Sequence, residues 1–354
     1  MALRLIEMVC PEEKREEVEQ LVREHEPQGL WHDRLMDDQV IVKILMPATR
    51  AEALLDHLES NYGGMEGFRI LLLPVQAALP RPEEPEEPAG EAPFQESPKP
   101  LPTRISRQEL YAEVSASAES SRVFYVMIAL SSVVAAIGLW RDNVAVIIGA
   151  MVIAPLLGPN MAMAFATTLG DGKLGRRAFR TSVTGIGLAL ALSVLIGLIL
   201  SVSPGIAGVA APEMADSELL IRARVSLADV VLALCAGSAG ALAFTTGIPT
   251  ALVGVMVAVA LLPPLVALGL LTGAGEWELA TGALLLFVTN VICVNLAGVA
   301  TFLGHGIRPR TWWETDRARK ASRGALLVWI LLLAALVAAI LLAQGHVAEP
   351  SGVP

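Results

Sequence analysis

Residues 147–171 read IIGAMVIAPLLGPNMAMAFATTLGD, which is apolar enough to lie in a bilayer and yet contains two prolines. Pro155 and Pro159 each remove a backbone donor and collide with the preceding helical turn, at about 3 kcal/mol each in a helix interior. Lipid contains no water that could bind the carbonyl groups freed in this way. The stretch therefore predicts a spanning helix that is broken near its middle, where protein or a water-filled cavity covers it.

This broken stretch has a counterpart further along the chain. Residues 252–276 read LVGVMVAVALLPPLVALGLLTGAGE and align with 147–171 without a gap, at an offset of 105 residues. The coincident positions are Gly149 and Gly254, Met151 and Met256, Pro159 and Pro264, and Gly170 and Gly275. Each repeat contains three predicted spans, an odd number, so the second is inverted relative to the first. Inverted repeats with discontinuous helices are typical of many secondary transporters.

The composition places the chain among integral membrane proteins. It has 354 residues, 54% of them hydrophobic, and a mean hydropathy of +0.58. Seven apolar segments are long enough to span a bilayer, at about 122–141, 144–169, 179–202, 227–246, 249–272, 277–303 and 324–343. We predict an α-helical polytopic membrane protein of about seven transmembrane helices, with a 3+3 inverted repeat plus one extra helix.

The N-terminal part has a different character. Residues 1–78 predict the order β-α-β-β-α-β of a ferredoxin-like α+β domain, which serves either as an assembly module or as a ligand sensor. A Pro/Glu-rich linker, 79–103, and an interfacial helix, 104–121, lead to the transmembrane domain, 122–343, and a C-terminal tail, 344–354.

Basic residues predict the orientation. Loops 171–180 and 304–323 are rich in lysine and arginine and fall on the same side as the N-terminal domain. The positive-inside rule then gives a multi-pass inner (plasma) membrane protein with a cytoplasmic N-terminal domain and the C-terminus outside. The net charge of −9 and the lack of a basic, aromatic-rich stripe argue against a nucleic-acid partner. The expected partners are the lipid bilayer, a small solute or ion, and further copies of the chain in a homo-oligomer.

Catalytic chemistry is not indicated. No Asp, Glu, Lys or Arg lies deep in a predicted span, which argues against a proton relay. The five histidines are scattered, and the three cysteines match neither a metal nor a disulfide spacing. We therefore expect no enzyme, no metal and no cofactor.

Neutral polar groups and backbone remain as site candidates. Asn160 follows Pro159 at the predicted start of a half-helix, where free N–H groups favour an anion, whereas the opposite half-helix end offers carbonyls to a cation. For Asn290 and Asn295 a place in the pathway and a role in ordinary helix–helix contacts stay equally open. The predicted pathway residues are Gly149, Pro155, Gly158, Pro159, Asn160, Gly254, Pro263, Pro264, Thr289, Asn290 and Asn295. The predicted entrance residues are Arg141, Asp142, Asn143 and Asp171. Gly149 and Gly254 are expected to permit close helix approach rather than to bind a ligand.

Three segments together resemble a known family. They are RDNVAVIIGAMVIAPLLGPNMAMAFATTLGD, VAVALLPPLVALGLL and LLLFVTNVICVNLAG. The chain resembles, over about 122–303, the uncharacterised hydrophobic domain family of prokaryotic polytopic membrane proteins. That resemblance implies a membrane protein and implies no substrate.

Two functions from different classes follow. The first is a channel or secondary transporter for a small solute or ion, with broken helices 2 and 5 forming the central site and the cytoplasmic domain regulating or assembling it. The alternative is a non-transporting membrane sensor or scaffold whose ferredoxin-like domain binds a ligand or partner. Aqueous access to residues 158–162 discriminates the two.

Overall fold

The structure, a computed structural model, describes residues 3–35, 38–65, 67–75, 107–202, 217–246, 250–307, 324, 327–335 and 338. Side chains are not described at 49, 250–256 and 259 within those ranges. The chain divides into two compact units, Met1–Tyr111 and Ala112–Pro354.

The first unit contains a four-stranded antiparallel sheet with two helices. Its elements are β1 (Leu3–Pro11), a 3-10 turn (Glu12–Lys14), α1 (Arg15–Arg23), β2 (Gly29–Arg34), β3 (Gln39–Pro47), α2 (Ala48–Tyr62) and β4 (Arg69–Val75). The strand order is β2-β3-β1-β4, and every neighbouring pair is antiparallel. This is the predicted order of strands and helices. Of the predicted domain 1–78, residues 76–78 lie outside the described residues.

Alternation builds the core of this unit. In β3 every second residue from Val40 to Met46 is fully buried, as Ile6 and Met8 are in β1. These side chains pack against Val18 of α1 and Leu54 of α2. One face of the sheet is therefore covered by the two helices.

The second unit is helical. Helix α3 (Arg107–Ser117) starts in the first unit and leads into it, and the other helices are α4 (Arg122–Trp140), α5 (Val144–Ile153), α6 (Leu157–Leu169), α7 (Gly172–Val202), α8 (Glu218–Ile221), α9 (Leu227–Thr246), α10 (Thr250–Ala274) and α11 (Trp277–Gly304). Helices α4, α7, α9 and α11 are long and apolar enough to cross a membrane by length and composition, and the bent pair α5–α6 makes a fifth candidate.

Two of the seven predicted spans are not among these candidates. The segment predicted at 249–272 corresponds to α10, which has 25 residues. Because its side chains at 250–256 and 259 are not described, only its part Ala260–Ala274 can be assessed, and that part is an apolar helix shorter than a span. The segment predicted at 324–343 is described only in part, and its residues 327–335 are helical. The linker 79–103 and the tail 344–354 also lie outside them.

The predicted break in the second span is confirmed. Helix α5 ends at Ile153, α6 begins at Leu157, and the two axes differ by 55°. Pro155 lies in the break, and Ala154 before it is extended at ψ 117°, as expected for a residue that precedes proline.

The predicted break in the fifth span is wrong. Helix α10 runs from Thr250 to Ala274 with Pro263 and Pro264 in its interior. A proline inside a helix leaves the carbonyl four residues earlier without its usual donor, which for Pro264 is the carbonyl of Ala260. That carbonyl accepts a hydrogen bond from the Asn290 side chain of α11, at 2.6 Å. Because a neighbouring helix supplies the missing donor, the helix continues.

Matching turns end α6 and α10. Gly170 and Gly275 follow these helices with positive φ, 70° and 82°, a conformation that glycine adopts without a Cβ clash. The next residue closes each turn with a hydrogen bond to the carbonyl five residues earlier, Asp171 to Ala166 and Glu276 to Leu271, both at 2.9 Å. The aligned Gly–acid pairs are therefore helix-ending turns of one geometry.

Candidate functional site

The first turn of α6 brings the proline break and a buried amide together. Pro159 and Asn160 are both buried there, and Asn160 is 5% exposed. The Asn160 Nδ2 donates to the Leu156 carbonyl at 2.8 Å, within the break. The predicted position of Asn160 at the start of a half-helix is correct.

Asn295 of α11 meets Asn160. The Asn295 Nδ2 donates to the Asn160 Oδ1 at 3.1 Å and to the Val291 carbonyl of its own helix at 2.9 Å. Asn295 is completely buried. Two predicted site residues that are 135 positions apart in sequence thus form one contact between α6 and α11.

Asn290 lies one turn and a half earlier on α11 and faces α10. It is 4% exposed, and its Nδ2 is occupied by the Ala260 carbonyl freed by Pro264. The predicted pathway residues Pro264 and Asn290 are therefore joined through one backbone carbonyl, a link that the sequence pattern does not reveal.

The hydrogen bonds fix the orientation of all three amides. Each NH2 group faces a backbone carbonyl, and exchanging N and O would bring two acceptor oxygens together. Among the residues that the structure describes, the Oδ1 atoms of Asn290 and Asn295 are buried and have no hydrogen-bond partner. An amide oxygen can only accept, so these atoms match a hydrogen-bond donor or an oxygen-liganded cation.

The hydroxyl groups of the region bond within their own helices. The Thr289 Oγ1 donates to the Leu285 carbonyl at 2.7 Å, and Ser131 and Ser132 both donate to Ile128. Thr289 is fully buried. The structure therefore places this predicted pathway residue next to Asn290 in the chain, with its hydroxyl bonded within its own helix.

The predicted glycines differ from one another. Gly149 lies on an exposed face of α5 with no atom within 4 Å of where a Cβ would stand, so the expected close helix approach is wrong there. A Cβ at Gly158 would lie 2.7 Å from the Ser117 carbonyl oxygen, so a close approach occurs at this position instead. The surroundings of Gly254 lie outside the described residues.

The predicted entrance residues shape turns and helix starts. Asp142 has a positive φ of 52°, and its carboxylate accepts from the Glu218 backbone N–H at 2.6 Å. Asn143 caps α5 through Val146, and Asp171 caps α7 through Lys173 and Leu174. Arg141 is exposed at the end of α4. The observed contacts of the three polar residues are capping contacts.

Two contacts between helices near the amides are related to each other by the 105-residue offset. Helix α6 meets α11 where Gly298 approaches Ala164, and a Cβ at Gly298 would lie 2.9 Å from the Ala164 Cβ. Helix α10 meets α7 where a Cβ at Gly269 would overlap that of Ser193. Position 269 is 105 residues after 164, and position 193 is 105 residues before 298.

A second pair of contacts shows the same exchange. The rings of Phe165 and Phe302 pack edge to face, with centroids 5.3 Å apart. The positions shifted by 105 residues are Leu270 and Gly197, and Gly197 lies against the Leu270 backbone. The 105-residue offset was visible in the sequence, whereas these contacting residues were not identified from it.

No ionisable cluster accompanies the amides. Within the described ranges, no group of three or more His, Cys, Asp or Glu side chains is arranged to hold a metal ion. The polarity of the site comes from neutral amides and backbone carbonyls.

Comparisons with known proteins give a family without a function. Residues 151–296 match the family model described as domain of unknown function DUF389. An uncharacterized protein of Methanocaldococcus jannaschii is 35% identical over 295 residues, which cover 83% of this chain and 85% of the relative. No solved structure gives a significant match. The matched region includes Asn160, Asn290 and Asn295.

Proposed function

The chain belongs to the DUF389 family, whose description assigns no function, and we propose from its geometry that it is a membrane channel or secondary transporter for a small solute or ion. The observation that carries the proposal is the buried amide cluster, in which Asn160 at a helix break meets Asn295 of α11. The cluster lies where the broken pair α5–α6 packs against α11, among helices long and apolar enough to span a membrane.

The exchanged contacts support an inverted repeat in this proposal. If a two-fold axis relates two halves of the chain, a contact between position i of the first half and position j of the second must recur between positions i + 105 and j − 105. The contacts Ala164–Gly298 and Gly269–Ser193 satisfy this condition. Helices α4 and α9 begin at residues 122 and 227, and α7 and α11 begin at 172 and 277, the same offset of 105 in both cases. With the three spans predicted in each half, the proposed relation is an inversion across the membrane.

The amide oxygens favour one class of cargo. Burying a polar oxygen without a partner costs about 1–3 kcal/mol, and such atoms in native proteins usually bind an ordered water, an ion or a ligand. Two unpartnered acceptors suit a hard cation or a solute that donates hydrogen bonds. Pro159, the third residue of α6, also removes one of the free N–H groups that would attract an anion at this helix start. We therefore expect cations or donor-rich neutral solutes to be carried rather than anions.

The experiment is flux into liposomes that contain the purified protein. One arm follows monovalent cations under a membrane potential, and the other follows small polyhydroxylated or amine solutes under a concentration gradient. We expect flux in one arm that falls about tenfold or more for Asn295→Leu, since losing a buried acceptor costs on the order of 1.4 kcal/mol. Thr168→Val is the matched control, because this buried hydroxyl donates only to Ala164 of its own helix. Absence of flux in both arms would contradict the proposal.

A further inference from the structure

One face of the sheet in the first unit is not covered by α1 or α2. It carries the residues that alternate with the buried ones, three from each strand, and we call it the open face. Its members are Gly29, Trp31 and Asp33 of β2, Ile41, Lys43 and Leu45 of β3, Leu5, Glu7 and Val9 of β1, and Arg69, Leu71 and Leu73 of β4. Trp31 and Leu71 are each 52% exposed and Leu73 is 42% exposed.

The strand register arranges these residues in three rows across the sheet, in the strand order β2, β3, β1, β4. The first row is Gly29, Leu45, Leu5 and Leu73. The middle row is Trp31, Lys43, Glu7 and Leu71. The third row is Asp33, Ile41, Val9 and Arg69.

The open face has the composition of a buried surface. Seven of its twelve residues are large and apolar, and they include residues of every strand. The Trp31 indole lies over Gly29, where a Cβ would overlap the ring, so the aromatic side chain extends along its strand. A contiguous apolar patch of this kind on a folded domain marks an interaction site.

The four charged residues of the open face are placed so that two copies of the face have complementary charges. Rotating a copy by 180° about an axis parallel to the strands, between β1 and β3, lays β1 over the partner's β3 and β4 over the partner's β2. Glu7 then faces Lys43 of the copy, and Arg69 faces Asp33 of the copy. Leu71 faces Trp31, Leu5 faces Leu45, and Val9 faces Ile41, so six of the seven apolar residues face an apolar residue of the other copy. The seventh, Leu73, faces Gly29, which the Trp31 side chain covers. Aligned packing of two sheets keeps their strands within about 30° of each other, as this arrangement requires.

We propose that the open face is a homodimer interface, in which two copies of this chain pack sheet against sheet about a two-fold axis parallel to the strands. The chain supplies the whole interface, because each charged residue finds its opposite on the second copy. This proposal is independent of transport by the helical unit.

Two other arrangements fit the charges less well. A two-fold axis perpendicular to the strands would place Glu7 against Glu7 and Lys43 against Lys43, and like charges in direct opposition are unfavourable. The Pro/Glu-rich segment 79–103 of the same chain is strongly acidic, whereas the open face carries two acids and two bases and offers it no net positive charge.

Two of the charges that fix the axis, those of Asp33 and Lys43, stabilise each other within the chain. The hydrogen bond between Lys43 and Asp33 lowers the pKa of the Asp33 carboxyl and raises the pKa of the Lys43 ammonium. Both shifts favour the ionised forms near neutral pH, so the pattern of opposite charges persists there.

The test is disulfide cross-linking of the full-length protein in its membrane, in a background without Cys10, Cys235 and Cys293. One tagged chain carries Trp31→Cys and a second, differently tagged chain carries Leu71→Cys, each residue on an edge strand. The proposed axis brings these positions together, so we expect a mixed cross-linked dimer. It also keeps Leu71 of one copy away from Leu71 of the other, so Leu71→Cys alone gives no dimer. Arg69→Cys with Asp33→Cys is a second mixed pair with the same expectation.

The control pair is His32→Cys with Pro74→Cys, exposed positions on the same two strands with the opposite alternation. Collision of loosely tethered domains would cross-link this pair as readily as the test pair. Mixed dimers of both test pairs well above the control, in variants that elute like the parent protein, support the interface. A Leu71→Cys homodimer, or mixed yields no higher than the control, overturns it.

Discussion

The carbonyl of Ala260 connects two residues that look unrelated in the sequence. Pro264 has no N–H that could donate to this carbonyl, and the Asn290 side chain of the next helix donates to it instead, at 2.6 Å. Without that donor a buried carbonyl would lose a hydrogen bond in an apolar region, at a cost of about 1–3 kcal/mol. Asn290 therefore stabilises α10 because position 264 is a proline.

This dependence can be measured as a double-mutant cycle. Asn290→Leu should destabilise the protein by about 1–3 kcal/mol when Pro264 is present. In a Pro264→Leu background the same change should cost at least about 1 kcal/mol less, since a leucine at position 264 donates its own N–H to Ala260. Unfolding in detergent measures both values.

Thr289→Val is the control for this cycle, because the Thr289 hydroxyl bonds only to Leu285 of its own helix. Its cost should be the same in both backgrounds. An equal cost of Asn290→Leu in the two backgrounds would show that the amide does not substitute for the missing backbone donor.

At the scale of elements, the segments that contain α6 and α10 differ in helix continuity at their prolines and have the same turn at their C-terminal ends. Pro155 lies between α5 and α6, whereas Pro263 and Pro264 lie within α10. Both helices close on a glycine with positive φ followed by an acidic residue. The two aligned segments have therefore kept the same helix end while only one of them is broken.

The shared helix end gives a paired prediction. Gly170→Ala and Gly275→Ala should each destabilise the protein by about 1–2 kcal/mol, the cost of placing a Cβ in the left-handed region. Gly149→Ala is the control, because this glycine lies on an exposed helical face with open space around it, and alanine is the better helix former. Thermal unfolding in detergent measures all three. A cost for Gly149→Ala equal to the other two would contradict the assignment of strain to the turns.

Periodicity and punctuation predicted much of the fold. The order β-α-β-β-α-β of the first unit and the proline break in the second span follow from local signals, and both predictions are confirmed. Whether the helix breaks at Pro264 was not predictable in the same way, because the continuity of α10 depends on a hydrogen-bond donor from α11. The contact between Asn160 and Asn295 likewise depends on packing between helices far apart in sequence, although both residues were selected for their polarity.

At the scale of the whole molecule, two buried amides of the helical unit meet where the broken pair α5–α6 packs against α11. Asn160 comes from the broken pair and Asn295 from α11, and the surrounding contacts recur at positions shifted by 105 residues. An apolar scaffold gains nothing from unpartnered amide oxygens at its centre, whereas a transport pathway requires groups that bind its cargo. Under the proposed function, water and solute reach Asn160 and Asn295.

Cysteine accessibility at position 160 tests that claim most directly. In a cysteine-free background, Asn160→Cys in native membranes should react with a membrane-impermeant, water-soluble thiol reagent, and cargo should slow the reaction. Ala164→Cys, one turn further along α6 and packed against Gly298, is the matched control and should stay unmodified. If Asn160→Cys is as unreactive as Ala164→Cys in a protein that still folds, no aqueous pathway reaches the amide cluster, and a non-transporting scaffold is the better account.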